Sequence, residues 1–476
     1  MNKSVIKKLK DIVGVERVLT SMEDRFTYSY DGTQLLSQTP EAIVIPRQVT
    51  EISEIVKLAN QEKFFIVPRG SGTGLSGGSI PVQNSIVLLM NQWNQILEVD
   101  ADNLTAWVQP GVITGQFHEF VEKRGLFYPP DPSSMTICTI GGNVAENAGG
   151  LRGLKYGVTK NYVMGLEVVL PTGEIAHFGG KNVKDVAGYN LKELFVGSEG
   201  TLGIFSKILL KLIPKPQSYK TMLAVFNSIQ QAAESVSDII AAHIIPTTLE
   251  FLDQLTIRSV EGYARIGLPT NVEALLLIEV DGHPVQVEEE SQKITEICRR
   301  HEASSFQIAH NDEEALKLKT ARRSAFSALA RIKPTTILED ATVPRSQLAP
   351  MVVKIQEIAK KYQVQIANFG HAGDGNLHPT GLTDERNVDE IRRVEAAFRE
   401  IFQTTIELGG TITGEHGVGL AKKEFLKQWF DSGSMKVMHT LKEMLDPNGI
   451  LNPGKIFDCT PKCENLMLSS SLKTAD

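Results

Sequence analysis

Three of the chain's ten histidines lie in two short glycine-rich segments. In HAGDGNLHP, residues 371–379, the insert Gly373-Asp374-Gly375-Asn376 is turn chemistry, so the chain reverses and brings His371 and His378 together. In TGEHGVG, residues 413–419, Glu415 and His416 stand side by side among glycines. Two imidazoles and a carboxylate with open positions form a common catalytic set for zinc, with manganese or iron as alternatives. A single histidine is more often a satisfied core or surface residue. Three together in glycine-flanked loops favour a metal site. A divalent cation acidifies a bound hydroxyl, and a neighbouring base can then take its proton. Adjacent side chains point in different directions, so Glu415 and His416 can serve different roles.

The second chemical signal is glycine. Residues 68–79 read PRGSGTGLSGGS, with a literal G-x-G-x-x-G at Gly72, Gly74 and Gly77. A dinucleotide fingerprint requires a helix to start at that loop. Here Ile80-Pro81 and a strand over 86–90 follow, so the Rossmann reading fails. Glycines at this density still turn successive backbone N–H groups into one concavity, an anion nest for phosphates. Gly141-Gly142-Asn143, Asn147-Ala148-Gly149-Gly150 and GSEGTLG at 197–203 add further close approaches, beside Asp131-Pro132-Ser133-Ser134 and Thr139. Several such loops in one β-rich region suit FAD better than a mononucleotide.

The elements that must carry these motifs change rhythm at mid-chain. The first half predicts strands over 42–45, 64–67, 86–90, 96–100 and 105–108. A hairpin joins 163–170 to 174–177 across Pro171-Thr172-Gly173, and a run over 202–212 closes this half. Thr50 is expected to cap a helix whose Ile52, Ile55, Val56 and Ala59 share a face, and 116–123 is a second helix. Pro214 and Pro216 mark a boundary. Beyond it, strands over 247–252, 274–280, 336–340 and 364–369 alternate with helices over 228–242, 254–266, 286–301, 313–331 and 347–362. This predicts an α+β sandwich of the ferredoxin-like kind. Residues 422–455 read as helical, ending in Asn452-Pro453-Gly454. The expected organisation is an FAD-binding region over 1–216, a substrate and metal cap over 217–420, a helical return over 421–457 and a tail over 458–476. Cys459 and Cys463 read as free thiols of that tail.

With 476 residues, 42% hydrophobic and 22% charged, the chain has the composition of a soluble protein of two or three packed units. A net charge of −7 gives no reason to expect nucleic acid. No stretch is apolar enough for a membrane span. The N-terminus reads as an amphipathic helix rather than a signal peptide. Four cysteines fit a reducing compartment, and a cytoplasmic location is expected. No C-x-x-C-H and no cysteine run for an iron–sulfur cluster is present, so electrons must leave for an external acceptor.

PRGSGTGLSGGS, YPPDPSS, IGGNVAENAGG and VGSEGTLGI resemble, in order and spacing, the FAD domain of vanillyl-alcohol-oxidase-type flavoproteins. Over residues 15–457 the chain resembles the branch containing the glycolate oxidase D subunit, D-lactate dehydrogenase and D-2-hydroxyglutarate dehydrogenase. The resemblance implies a two-part FAD-binding domain followed by an α+β cap. The FAD positions it implies are Pro68, Arg69, Gly70, Ser71, Gly72, Thr73, Gly74, Gly77 and Gly78, then Pro130, Asp131, Ser134 and Thr139. Gly142, Asn143, Asn147, Ala148, Gly149, Glu199, Gly200, Gly203, Ile204 and Asn452 complete the set. Residues 68–80 contain no histidine, which favours non-covalent FAD.

The same resemblance assigns His371, His378 and Glu415 as metal ligands and His416 as the base; Asp374 and Asn376 could support the ligands, and both equally suit the turn. It implies that a small 2-hydroxy acid passes its hydride to flavin N5 and becomes the 2-oxo acid. Arg322, in ARRSAF, takes the place of the family's carboxylate-binding arginine. Two departures stand out. The family's tryptophan three residues earlier is Lys319 here, and Leu338-Glu339-Asp340 lacks the lysine of the hydroxyglutarate enzymes. The second departure tilts the reading toward glycolate or D-lactate. Glycolate oxidase relatives imply iron–sulfur and second flavin-domain partner subunits, through which the chain could be membrane-associated. A metallohydrolase is the main competitor, but it has no use for FAD-scale glycine loops. A non-catalytic flavin-binding subunit is the other, and the complete His/Glu set argues against it.

Overall fold

The computed structural model describes residues 1–458, and Cys459 and Cys463 fall outside them. Three principal sheets follow one another along the chain. The first has the order Val18–Leu19, Ala42–Val44, Ser85–Leu89, Phe65–Arg69, with the last three strands parallel. Their residues are almost all buried, which explains the continuous apolar runs. Adjacent parallel strands normally need a helical crossover. Here the glycine loop itself makes the crossover from Phe65–Arg69 to Ser85–Leu89, as the missing helix signal indicated.

The second sheet is antiparallel, in the order Ile96–Asp100, Thr105–Val108, Ile204–Lys211, Val163–Val169, Ile175–Gly179. The hairpin turn expected at 171–173 forms, with Gly173 at φ +87°.

The third sheet has eight strands and is wider than a ferredoxin-like sandwich. Its main order is Ser305–Ile308, Ser218–Phe226, Ala274–Gly282, Thr248–Asp253, Gln365–His371, Asn376–Thr383, Thr335–Leu338. Both faces are covered. Leu276, Ile278 and Val280 pack toward helices Ile229–Ala241, Pro284–Arg300, Leu348–Tyr362 and Val388–Glu407. Leu275 and Leu277 join a second core with Ile257, Leu318 and Ala325, from the helices on the opposite face.

Several expected elements differ. The helix Val49–Glu62 is capped by Gln48 rather than Thr50, through a capping box with Glu51. Glu51 also pairs with Arg17 at 2.8 Å. The helix expected over 313–331 breaks at Ser324 into Asp312–Arg323 and Ala325–Leu329. The Ser324 hydroxyl donates to the Thr320 carbonyl at 2.7 Å, a back-bond that bends helices. Part of IGGNVAENAGG is helical, over Ile140–Glu146, because Thr139 caps it and Asn147 closes it at φ 54°. Residues 422–455 contain two helices, Lys423–Trp429 and Ser432–Leu445. The chain then returns to the first sheet, where Ile66 N donates to Ile450 O and Asn452 N to Ile66 O, each at 2.8 Å.

Candidate active site

A cavity of about 810 Å³ runs from the glycine loops to the cap sheet. Of the expected FAD positions, Pro68 to Gly74, Gly78, Ser134, Thr139, Gly142, Asn143, Ala148, Gly149, Glu199, Gly200, Gly203 and Ile204 line it. Five do not reach its wall. Gly77 sits beside Leu420, Ile80 and Leu36. Pro130 O lies 2.9 Å from His118 Nε2, and Asp131 pairs with Arg152 at 3.5 Å. Asn147 closes its helix and accepts from Lys160 N at 2.9 Å. Asn452 acts from behind, donating to the carbonyls of Gly78 and Glu199 at 2.8 and 2.7 Å and so fixing two wall segments to each other.

The glycines are steric necessities at two points. A Cβ on Gly70 would lie 2.4 Å from Thr139 Oγ1, and one on Gly149 would lie 2.5 Å from Glu415 Oε2. The second contact carries the glycine wall directly onto the histidine motifs.

Those motifs meet as the sequence indicated. His371 ends the strand Gln365–His371, and the turn lets Asn376–Thr383 pair back so that His378 stands opposite Phe369. Side chains alternate along a strand, so Phe369, His371 and His378 share a face. The two imidazole centroids are 5.1 Å apart. Asp374 and Asn376 serve the turn: Asn376 N donates to Asp374 Oδ1 at 3.2 Å, and Asn376 Oδ1 accepts from the Thr342 hydroxyl.

Two carboxylates not anticipated from the sequence hold these rings. Glu250 pairs across the sheet with His371, and its Oε1 lies 2.6 Å from His371 Nδ1. Asp340 Oδ1 lies 3.1 Å from His378 Nδ1 and 2.9 Å from His416 Nδ1. Both acids are completely buried. Asp340 Oδ2 also accepts from the Thr413 hydroxyl and the backbone N–H groups of Gly414, Glu415 and His416, at 2.9 to 3.4 Å. One aspartate therefore shapes the whole 413–416 loop. The available signal was a carboxylate within or just after a β-rich run, Glu250 in TLEFLD and Asp340 two residues beyond TTIL.

With each Nδ1 turned to a carboxylate, the Nε2 atoms of His371 and His378 point at the same oxygen, Glu415 Oε1, from 3.1 and 3.3 Å. Nitrogen lone pairs and a carboxylate oxygen converging on one place require a proton or a cation between them. Burial opposes charge on His371, yet Glu250 and Glu415 outweigh it and hold its imidazolium well above the usual histidine range. Burial likewise opposes ionisation of Glu415, but His371 and His378 draw it well below the usual carboxylate range. A site that stabilises a positive charge this strongly is suited to a cation.

His416 is farther from Glu415, at 3.7 Å, and has the most exposed side chain of the three, 16% against 5% for His371 and 3% for His378. His378, Glu415 and His416 line the cavity, whereas His371 does not. Arg322 also lines the cavity. Its Nε donates to Glu250 Oε2, and the guanidinium lies 4.8 Å from the Phe369 ring centroid. Glu250 thus bridges Arg322 and His371. Lys319 pairs with Glu279 at 2.5 Å, and Glu339 with Lys422 at 3.2 Å. Arg323, an exposed neighbour not anticipated, reaches the cavity wall too.

Comparison with known proteins resolves the family. Residues 40–179 match the FAD binding domain, and residues 215–456 match the C-terminal domain of FAD linked oxidases. The chain belongs to the FAD-linked oxidase family. It is 57% identical to glycolate oxidase subunit GlcD of Bacillus subtilis (strain 168), covering 96% of this chain and 97% of that one. It is 37% identical to the subunit of the same name from Escherichia coli (strain K12), over 97% of this chain and 92% of the relative. D-lactate dehydrogenase of Anaerostipes hadrus is 34% identical over 95% of this chain and 97% of its own. Among solved structures, p-cresol methylhydroxylase superposes with a TM-score of 0.79 at 20% identity, covering 96% of each chain, a likeness of fold alone. The expected resemblance is thereby borne out: the protein is an FAD-dependent oxidoreductase with the two-part vanillyl-alcohol-oxidase-type architecture. No helix among the described residues is long and apolar enough to cross a membrane.

Proposed function

We propose that this protein oxidises a small 2-hydroxy acid, glycolate or D-lactate, to the 2-oxo acid and passes the electrons to an external acceptor. The observation that supports this reading best is the convergence of His371 and His378 Nε2 on Glu415 Oε1 at the wall of the FAD cavity. His371, His378 and Glu415 would hold a divalent cation, zinc first, with manganese or iron as alternatives. The cation, when bound, lowers the pKa of a hydroxyl coordinated to it. FAD, when bound, accepts the hydride from C2.

The chain's own residues do the rest. Glu250 and Asp340 orient the imidazoles and fix which nitrogen faces the cation, as outer carboxylates do in metal sites. His416, close to the set yet the most exposed to the cavity, takes the hydroxyl proton. Arg322 binds the substrate carboxylate with the donors that Glu250 leaves free, and Glu250 locks the fork in place before substrate arrives. FAD is held without a covalent bond by residues of 68–79, 134–149 and 199–204. We assign 1–216 to FAD binding, 217–420 to the cap and 421–457 to the helical return. Because the Bacillus and Escherichia relatives are named as glycolate oxidase subunits, we place this chain in a complex; the glycolate oxidase resemblance implies iron–sulfur and second flavin-domain subunits as its partners.

Substrate size tests the reading. Glu339 is committed to Lys422 and Asp340 to the histidines, so this segment offers no cation for a second carboxylate. With an artificial acceptor, glycolate and D-lactate should exceed D-2-hydroxyglutarate in kcat/KM by about tenfold or more, the value of one unmet charged contact. A preference for the dicarboxylate that disappears in Arg323→Ala would reverse the assignment.

A further inference from the structure

Glu146 and Glu199 both line the cavity and neither belongs to the cation set. Glu199 is accounted for by its surroundings. Its two oxygens accept from the backbone N–H groups of Val418 and Gly419, each at 2.7 Å. Glu146, the last residue of the helix Ile140–Glu146, has no such support. Its Oε2 is buried and has no hydrogen-bond partner among the described residues.

Glycines close around this side chain. A Cβ on Gly78 would fall 2.7 Å from Glu146 Oε1. One on Gly417 would fall 2.2 Å from Glu146 Oε2 and 3.0 Å from Glu199 Oε1. The two carboxyl groups therefore share one small space, bounded by the first glycine loop and the loop after His416. Two acids so placed do not both ionise. Burial pushes the Glu199 carboxyl up as well, but the N–H groups of Val418 and Gly419, then Lys455 and Lys422, counteract it, so Glu199 has the better claim to the negative charge. Burial, then Glu199 and Asp31, hold the Glu146 carboxyl well above the usual carboxylate range. A carboxylic acid kept neutral at neutral pH is a hydrogen-bond donor.

We propose that Glu146 is a ligand of FAD, donating a hydrogen bond from its carboxyl O–H to an acceptor atom of the cofactor. The surroundings favour FAD over the substrate. Glu146 stands among Gly74, Gly78 and Glu199, whereas Arg322, His378 and Glu415 define the hydroxy-acid end. With Oε2 buried against Gly417, the oxygen left to face the cavity is Oε1, beside Gly74 and Gly78, and loss of a donor there should be felt mainly in cofactor affinity.

The test measures FAD release from the loaded protein on dilution, followed by the rise in flavin fluorescence, and so is independent of substrate and metal. Glutamine at 146 keeps the length and a donor, whereas methionine fills the space without one. Glu146→Met should weaken FAD retention about tenfold or more, and Glu146→Gln should stay within about threefold of the parent. Far-UV circular dichroism of the loaded proteins checks the fold, and Glu146→Ala provides a second donor-free variant if methionine does not fit. A donor-free variant that holds FAD as the parent does, or a glutamine variant that loses it as readily as methionine, would overturn the assignment.

Discussion

Replacing His416 by alanine is expected to lower kcat by about 10²- to 10⁴-fold, the usual loss of a general base, while FAD and bound metal remain. His416 is 3.7 Å from Glu415 where His371 and His378 approach to 3.1 and 3.3 Å, and its ring is the one most open to the cavity. Glu415→Ala should behave differently. Its Oε1 is the point on which the other rings converge, so metal should be lost and added metal should restore part of the rate. Metal analysis and kcat on the two variants, side by side, make the check. The contrary pattern has a definite structural meaning, because Asp340, His378 and His416 form a second group of potential ligand atoms within 4.8 Å of one another. Metal lost in His416→Ala and kept in Glu415→Ala would move the cation to that group. Against it stands Asp340, whose second oxygen already serves four donors in the 413–416 loop.

His371→Ala or His378→Ala should abolish both metal binding and turnover yet leave FAD in place. The two effects separate because the histidines sit on the cap sheet, whereas the cavity wall we assign to FAD comes from residues 68–78, 134–149 and 199–204. Removing an outer carboxylate typically costs about 10- to 100-fold in metal affinity, so Glu250→Gln and Asp340→Asn should fall in that range and the direct ligands well beyond it. Glu250→Gln should also raise KM for the hydroxy acid, since the same carboxylate holds the Nε of Arg322. Metal content and flavin absorbance measured on each purified variant decide the matter. Full metal occupancy in both histidine variants would rule out the ligand set.

The histidine motifs were legible because their chemistry is local. The turn at 372–375 dictates that His371 and His378 meet, and the glycines beside Glu415 and His416 advertise a loop under tight steric control. The glycine wall was legible for the same reason, and the missing helix after Gly78 kept it from being mistaken for a Rossmann site. What the sequence concealed were partners set by strand pairing. Glu250 is 121 residues from His371 and Asp340 is 38 from His378, and only the cross-strand register brings them together. In the sequence Asp340 reads only as part of a segment lacking a lysine, whereas in the fold it organises the loop that carries Glu415 and His416. The break at Ser324 leaves no mark on the sequence pattern, because Leu318, Ala321 and Ala325 keep helical spacing across it. Pro130, Asp131 and Asn147 lie in the motifs assigned to FAD, yet they meet other partners off the cavity wall: the Pro130 carbonyl lies by His118, Asp131 pairs with Arg152, and Asn147 accepts from Lys160 N.

The most direct test of the central claim is anaerobic mixing of the FAD- and metal-loaded protein with glycolate or D-lactate, without any acceptor, while the visible flavin band is recorded. Bleaching of that band with stoichiometric formation of glyoxylate or pyruvate is the predicted result, and it should be abolished in His378→Ala. A flavin that stays oxidised with both acids in the metal-loaded parent, yet is bleached by a chemical reductant, would contradict the assignment of 2-hydroxy-acid oxidation to this site.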